Sequence, residues 1–96
     1  MIIGKVNGTA ISTLKQETLA NTKLLLVTPA DPSGKESGVP FLAVDLVGAG
    51  EGELVFVTQG SSARAAAGSF ESAADAAVVG ILDSLHFGGE LTFTKR

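Results

Sequence analysis

The sequence offers few side chains that could act as a nucleophile or a general base. It contains no cysteine and a single histidine, His86, so a hydrolytic site would need a serine activated by that histidine. Ser61 and Ser62 are adjacent, but the segment Gly60-Ser61-Ser62-Ala63 lacks the G-x-S-x-G pattern of the turn that presents a nucleophilic serine. Nothing in the sequence places His86 beside these serines, and we therefore predict no catalytic residue.

Carboxylates are the next candidates for chemistry. The candidates are flanked by turn or strand residues; they are Asp45, Glu51, Glu53, Asp75 and Asp83. The polar segment 31–36 also falls short of the closely spaced oxygen ligands of a Ca²⁺ loop. We therefore predict neither a metal site nor a cofactor.

The run Gly48-Ala49-Gly50-Glu51-Gly52 has glycine at three alternate positions. A dinucleotide-binding fingerprint has the spacing G-x-G-x-x-G and precedes a helix, whereas this run precedes an apolar segment typical of a strand. The glycines instead indicate close approach of backbones, in a tight turn or around an axis where several copies of the chain meet.

Length and composition predict a single domain over 1–96 that needs partners. A chain of 96 residues without disulfides is marginal in stability, and oligomerisation is the remaining way to support it. Seven Lys and Arg against ten Asp and Glu give a net charge of −3, which argues against nucleic-acid binding. No stretch approaches eighteen consecutive apolar residues and the start lacks the layout of a signal peptide, so we predict a cytoplasmic protein that engages no membrane.

The pattern of apolar runs and turn residues predicts an all-β fold. Runs rich in aliphatic and β-branched residues predict strands over 2–12, 23–28, 41–47, 54–58, 78–83 and 91–94. The third and fourth are expected to form a hairpin with a glycine-rich connection, and Gly88-Gly89 a tight hairpin turn. Because the connections are judged too short for parallel crossovers, the strands are expected to close into a small five- to six-stranded OB-like β-barrel.

One short helix is predicted over 61–67. It contains four alanines, with a serine as candidate N-cap and Gly68 as a C-terminal stop. Arg64 lies on this helix and is either a solvated charge or an anchor between subunits, because arginine is enriched at interfaces.

Three predicted strands are apolar on both faces. The segments 24–27, 41–44 and 54–57 lack the alternation of a strand with one face in a core and one in water. The outer face must therefore be covered, and a second copy of the chain is the simplest cover. We expect residues on these strands, such as Leu25 and Val55, to lie at that interface.

Several segments resemble the vertex proteins of bacterial microcompartments, the EutN/CcmL family. The resemblance is carried by the segments 43–53, 60–64 and 75–83, with further likeness over 4–9 and 23–27. It implies a β-barrel subunit without catalytic residues that assembles as a homopentamer. Such pentamers cap the corners of polyhedral shells that are tiled by a different, hexameric shell protein.

In a ring of subunits, glycines permit crowded backbones at the symmetry axis and short side chains leave a narrow opening. The axis is expected to be lined by the glycine run together with the serines of the helix start: Gly48, Ala49, Gly50, Glu51, Gly52, Ser61 and Ser62. The subunit interface is expected to include Asp45, Arg64, Leu25 and Val55.

Two alternatives of other classes remain at this stage. The first is an OB-type binding module for single-stranded nucleic acid or a small ligand, which would need aromatic and basic side chains in one groove. The second is an enzyme that works at a subunit interface, where Asp45, Arg64 and His86 would converge across chains.

Overall fold

The computed structural model describes residues 1–10, 23–67 and 75–95. Within these ranges the chain forms seven strands and one helix, in the order β1 (Ile2–Ala10), β2 (Leu24–Pro29), β3 (Phe41–Asp45), β4 (Leu54–Gln59), α1 (Ser61–Ala66), β5 (Ala76–Ile81), β6 (Ser84–Phe87) and β7 (Glu90–Thr94). The last two residues of the predicted first strand lie outside the described residues.

Five strands close into a barrel in the order β1-β2-β3-β5-β4, with β1 pairing with both β2 and β4. This confirms the expected all-β, OB-like barrel with one short helix. A bulge between Val6 and Gly8 shifts the register of the long first strand against β2, and a bulge bends the strand that carries it.

Aliphatic side chains fill the barrel. The largest fully buried ones are Leu25, Val6, Val27, Val55, Val57 and Val78. Gly4 faces the same core, where a Cβ at its position would overlap Val27 Cγ1. A glycine is therefore required at this point of β1, because the strands approach too closely for a larger residue.

The predicted hairpin between β3 and β4 is wrong. β3 pairs with β2 and, in parallel, with β5, while β4 pairs with β1 and β5. The expectation that no parallel pair forms is also wrong, because β3 and β5 are parallel. The chain between β3 and β5 includes β4 and α1, which is long enough for the crossover that a parallel pair needs.

β6 and β7 form a separate two-stranded ribbon beyond the barrel. Gly88 and Gly89 connect them with φ of 63° and 81°, which confirms the predicted glycine turn. Near the base of the ribbon, the Thr92 hydroxyl donates a hydrogen bond to the Pro32 carbonyl. The chain measures 45 × 23 × 22 Å.

The helix begins with a different cap from the one predicted. Gly60 is the N-cap, with φ 63° and ψ −137°, and no side chain caps the helix. The serine N-cap is therefore wrong, because the chain enters the helix through a conformation that only glycine adopts without strain. The predicted stop at Gly68 lies outside the described residues.

Candidate assembly surfaces

Asp45 organises the loop of residues 46–53, called here the glycine loop. Its Oδ1 accepts hydrogen bonds from the backbone N–H groups of Val47, Gly48 and Ala49, at 3.1, 3.0 and 3.3 Å. Its Oδ2 lies 3.8 Å from Lys23 Nζ, which donates to the Ala49 carbonyl at 3.3 Å. The Asp45 side chain is only 2% exposed, so its carboxylate is committed to its own loop. Its predicted place at the subunit interface stays a prediction.

Glu53 fixes the other end of the glycine loop. Its Oε1 accepts a hydrogen bond from the Gly50 N–H at 2.7 Å, and its Oε2 lies 2.8 Å from Lys95 Nζ. The hydrogen bond from Lys95, and next that from Gly50, lowers the pKa of the Glu53 carboxyl. The same contact raises the pKa of Lys95. The ion pair thereby ties the end of β7 to the loop.

The glycine loop also closes the barrel. Ala49 is fully buried and belongs to the barrel core. Gly48 and Gly52 have φ of 76° and 87°, a region that side chains rarely adopt. These two glycines are explained by the loop backbone of one chain. Gly50 has neither a positive φ nor a close contact at its Cβ position, so the described part of its own chain does not explain a glycine there.

The two groups predicted to line the axis do not form one cluster. Gly48–Gly52 precede β4, whereas Ser61 and Ser62 follow it on the exposed first turn of α1. The ends of β4, Leu54 and Gln59, are about 17 Å apart at 3.4 Å per residue. The two groups therefore lie at opposite ends of β4, and their place at the axis stays a prediction.

Leu25 and Val55 lie inside the barrel, with 1% and 0% of their surfaces exposed. The prediction that they contact a neighbouring subunit is wrong, because their own chain encloses them. Arg64 is half-buried in the last turn of α1, and its interface role stays a prediction. His86 is exposed on β6.

An apolar face is nevertheless left outside the barrel. Leu26 and Leu42 are direct cross-strand partners on β2 and β3 and are 37% and 49% exposed. On the same face Val44 is buried, with Leu24 and Ala67 packed against it. The helix therefore covers one end of this face and leaves the leucines open. The runs that are apolar on both sides were the sequence signal for this face, but they did not reveal which residues point outward.

Two further apolar residues are exposed at the end of the ribbon. Phe87 and Leu91 lie on either side of the Gly88–Gly89 turn, on opposite faces of the ribbon, and are 63% and 54% exposed. Sequence reasoning missed these two residues as surface candidates. The signal available was an apolar residue on each side of a predicted glycine turn.

The described residues contain no cluster of three or more His, Cys, Asp or Glu side chains placed to hold a metal ion. No helix in the described ranges has the length and apolar character needed to span a bilayer.

Comparison with known proteins identifies the family. A family model described as "Ethanolamine utilisation protein EutN/carboxysome" matches residues 1–83. The chain is 49% identical over 85 residues to the bacterial microcompartment shell vertex protein GrpN of Rhodospirillum rubrum (strain F11), covering 88% of this chain and 96% of the relative. It is 41% identical over 95 residues to the shell vertex protein EutN of Escherichia coli (strain K12), covering 99% and 100% of the two chains.

A solved structure agrees with these relatives. The structure described as the GrpN pentameric microcompartment shell protein from Rhodospirillum rubrum superposes with a TM-score of 0.83 at 47% identity, covering 91% of this chain and 99% of that one. Sequence and fold therefore match over nearly the whole of both chains. This chain belongs to the EutN/CcmL family of microcompartment shell proteins.

Proposed function

We propose that this protein is a structural shell component that forms homopentamers, and that the pentamers cap the five-fold vertices of a bacterial microcompartment in the cytoplasm. The observation that carries the proposal is the exposed outer face of a barrel that is already closed. Leu26 and Leu42 contribute nothing to the core of their own chain. A surface of this kind is what a partner would cover.

A ring is the assembly that suits these surfaces. The outer leucines and the ribbon end are different patches on one chain, so a contact between them is head-to-tail, and such contacts must close to avoid filaments. The relatives named as shell vertex proteins, one of them described as pentameric, support closure at five. Hexameric shell proteins would surround each pentamer, and the role requires no catalysis.

Native mass spectrometry tests the pentamer directly. The expected species has five times the 9.7 kDa chain mass and persists at micromolar concentration and in high salt, because apolar contacts are not screened by ions. A stable monomer of the unmodified chain across these conditions would contradict the assembly.

The capping role needs a separate test. The host's shells are examined by electron microscopy after deletion of this gene and of any paralogous vertex genes. We expect open or elongated shells with unfilled corners, restored by re-expression of this chain. Shells that still close at every corner would refute capping while leaving the pentamer intact.

We also propose that the glycine loop, and not the start of the helix, faces the five-fold axis. Gly50 supports this placement, because its own chain provides no steric or backbone reason for glycine there. Spin labels are attached to Glu51→Cys and, in a separate variant, to Ser62→Cys, since the chain has no other cysteine. The distances measured between labels on different subunits show which end of β4 lies nearer the axis. The label nearer the axis gives the shorter distances between subunits. Shorter distances from Ser62→Cys would overturn the placement.

A further inference from the structure

We propose that the contact between neighbouring subunits is made by the ribbon tip, residues 87–91, which seats Phe87 in a groove on the outer barrel surface of the next copy. The groove, called here the outer groove, is lined by Phe41, Leu42, Gln59, Asp75 and Ala76. This inference rests on the proposed pentamer and names the surfaces that would form it.

The ribbon tip is built to be covered by something outside its own chain. An isolated two-stranded hairpin is marginally stable in water, and neither β6 nor β7 pairs with a barrel strand. The base of the ribbon is anchored by the hydrogen bond from Thr92 to Pro32 and by the Lys95–Glu53 ion pair. The far end has no comparable anchor among the described residues, yet it exposes Phe87 on one face and Leu91 on the other. A partner that covers this end would stabilise the whole ribbon.

The outer groove has the size and the chemistry for an aromatic ring. Its volume is about 270 Å³, and a cavity of about 150 Å³ already accommodates benzene. Phe41 and Leu42 supply apolar contacts, while Gln59 and Asp75 are exposed polar residues that can form a rim. Leu42 is half of the outer leucine pair, so a ring seated here also covers the face that the barrel leaves open.

A larger groove of about 430 Å³ lies between the glycine loop and β7, but it suits Phe87 less well. Glu53 and Lys95 line it as an ion pair. A phenyl ring in that groove would desolvate both charges without replacing their hydrogen bonds, which is unfavourable. The outer groove is lined by no ion pair, and its one charged residue, Asp75, is exposed to solvent.

The two surfaces cannot meet within one chain. The outer groove lies at the Gln59 end of β4, where Gln59 pairs with Ala76. The ribbon starts at the other end, where the Leu82 N–H donates to the Leu54 carbonyl. These ends are about 17 Å apart along the strand, and Phe87 is 63% exposed in the single chain. The two patches can therefore be buried together only between copies, as a head-to-tail contact that closes into a ring.

Chemical cross-linking tests this contact in the full chain, which contains no native cysteine. The double variant Glu90→Cys with Gln59→Cys leaves Phe87 and Leu42 unchanged. Its two thiols lie on the two sides of the proposed contact, because Glu90 is the cross-strand partner of Phe87 and Gln59 lines the groove. With a short bis-maleimide reagent we expect a ladder of covalent multimers that reaches five chains on a denaturing gel. The matched control, Ser84→Cys with Gln59→Cys, moves the first thiol to the exposed base of the ribbon and should give no ladder.

A substitution of Phe87 completes the test. Phe87→Ala, added to the cross-linking pair, should lower the yield of multimers about tenfold or more, because a buried phenyl ring contributes more than one decade of affinity. Phe87→Leu should keep most of the yield. Far-ultraviolet circular dichroism confirms that the strands remain, as expected for a residue that is exposed in the single chain.

The outcomes separate this inference from the proposed function. A pentamer by native mass spectrometry without a ladder from reactive thiols, or with a ladder that Phe87→Ala leaves unchanged, would overturn the inference and leave the pentamer standing. If the tip instead docks on a different shell protein, the pentamer would again be seen without a ladder, and the inference would be overturned. A monomeric unmodified chain would instead overturn the proposed function.

Discussion

Replacement of Asp45 should destabilise the folded chain far more than its place in an exposed loop suggests. One carboxylate oxygen accepts three backbone N–H groups, and the side chain is 2% exposed. In Asp45→Ala the N–H of the fully buried Ala49 loses its acceptor, which costs about 1–3 kcal/mol. The N–H groups of Val47 and Gly48 are at exposed positions, where water replaces the carboxylate at about 0.5 kcal/mol each.

The expected loss for Asp45→Ala is therefore about 2–4 kcal/mol of unfolding free energy, a large part of the roughly 5–15 kcal/mol of a small domain. Asp45→Asn keeps an acceptor but not its charge, and since charge-assisted hydrogen bonds are about twice as strong as neutral ones, we expect a loss of about 1 kcal/mol. The Lys23 ion pair adds little, because the Lys23 side chain is 49% exposed.

Urea unfolding followed by circular dichroism measures these losses. All variants are compared at one protein concentration, because self-association stabilises the folded chain in a concentration-dependent way. Glu51→Ala is the matched control, an exposed acid in the same loop, and should change the unfolding free energy by less than about 0.5 kcal/mol. If Asp45→Ala unfolds like Glu51→Ala, the carboxylate does not hold the loop and the reasoning fails.

Two further predictions follow from the barrel core and the loop. Gly4→Ala should lower the free energy of unfolding by about 1–3 kcal/mol, because the new methyl group overlaps Val27. In a double-mutant cycle, Val27→Ala should recover part of that loss. Strictly additive losses would contradict the steric cause. The Glu53–Lys95 pair should stabilise the chain only within a pH window. The lowered pKa of Glu53 makes its contribution present above the ordinary value of 4.5 and lost as pH falls through the lowered value. The raised pKa of Lys95 makes its contribution present below 10.5 and lost as pH rises through the raised value. The difference in urea midpoint between the unmodified chain and Lys95→Met should therefore be positive at pH 7 and shrink at both extremes; a difference that is constant with pH would exclude the ion pair as its origin.

Local patterns were enough to predict the class of fold and every described element except β6, which no predicted strand covered. Aliphatic runs broken by glycine and proline located the barrel strands to within a few residues, and Gly88-Gly89 located the ribbon turn, because both depend on neighbours in sequence. The alanine-rich segment predicted the only helix of the described ranges for the same reason. The order of motifs along the chain was also sufficient to indicate the family before any contact was known.

Pairing and orientation were decided only by the tertiary structure. The parallel contact of β3 with β5 joins residues more than thirty positions apart, and such pairing depends on closure of the whole barrel. Leu25 and Leu26 show why the orientation of a side chain could not be predicted. In a run that is apolar on both faces alternation carries no information, and a register shift of one residue exchanges inside and outside. The barrel placed Leu25 in its core and left Leu26 for a neighbour. The role of Asp45 was hidden for a related reason, because its partners are backbone N–H groups that any sequence supplies and only the folded loop aims at the carboxylate.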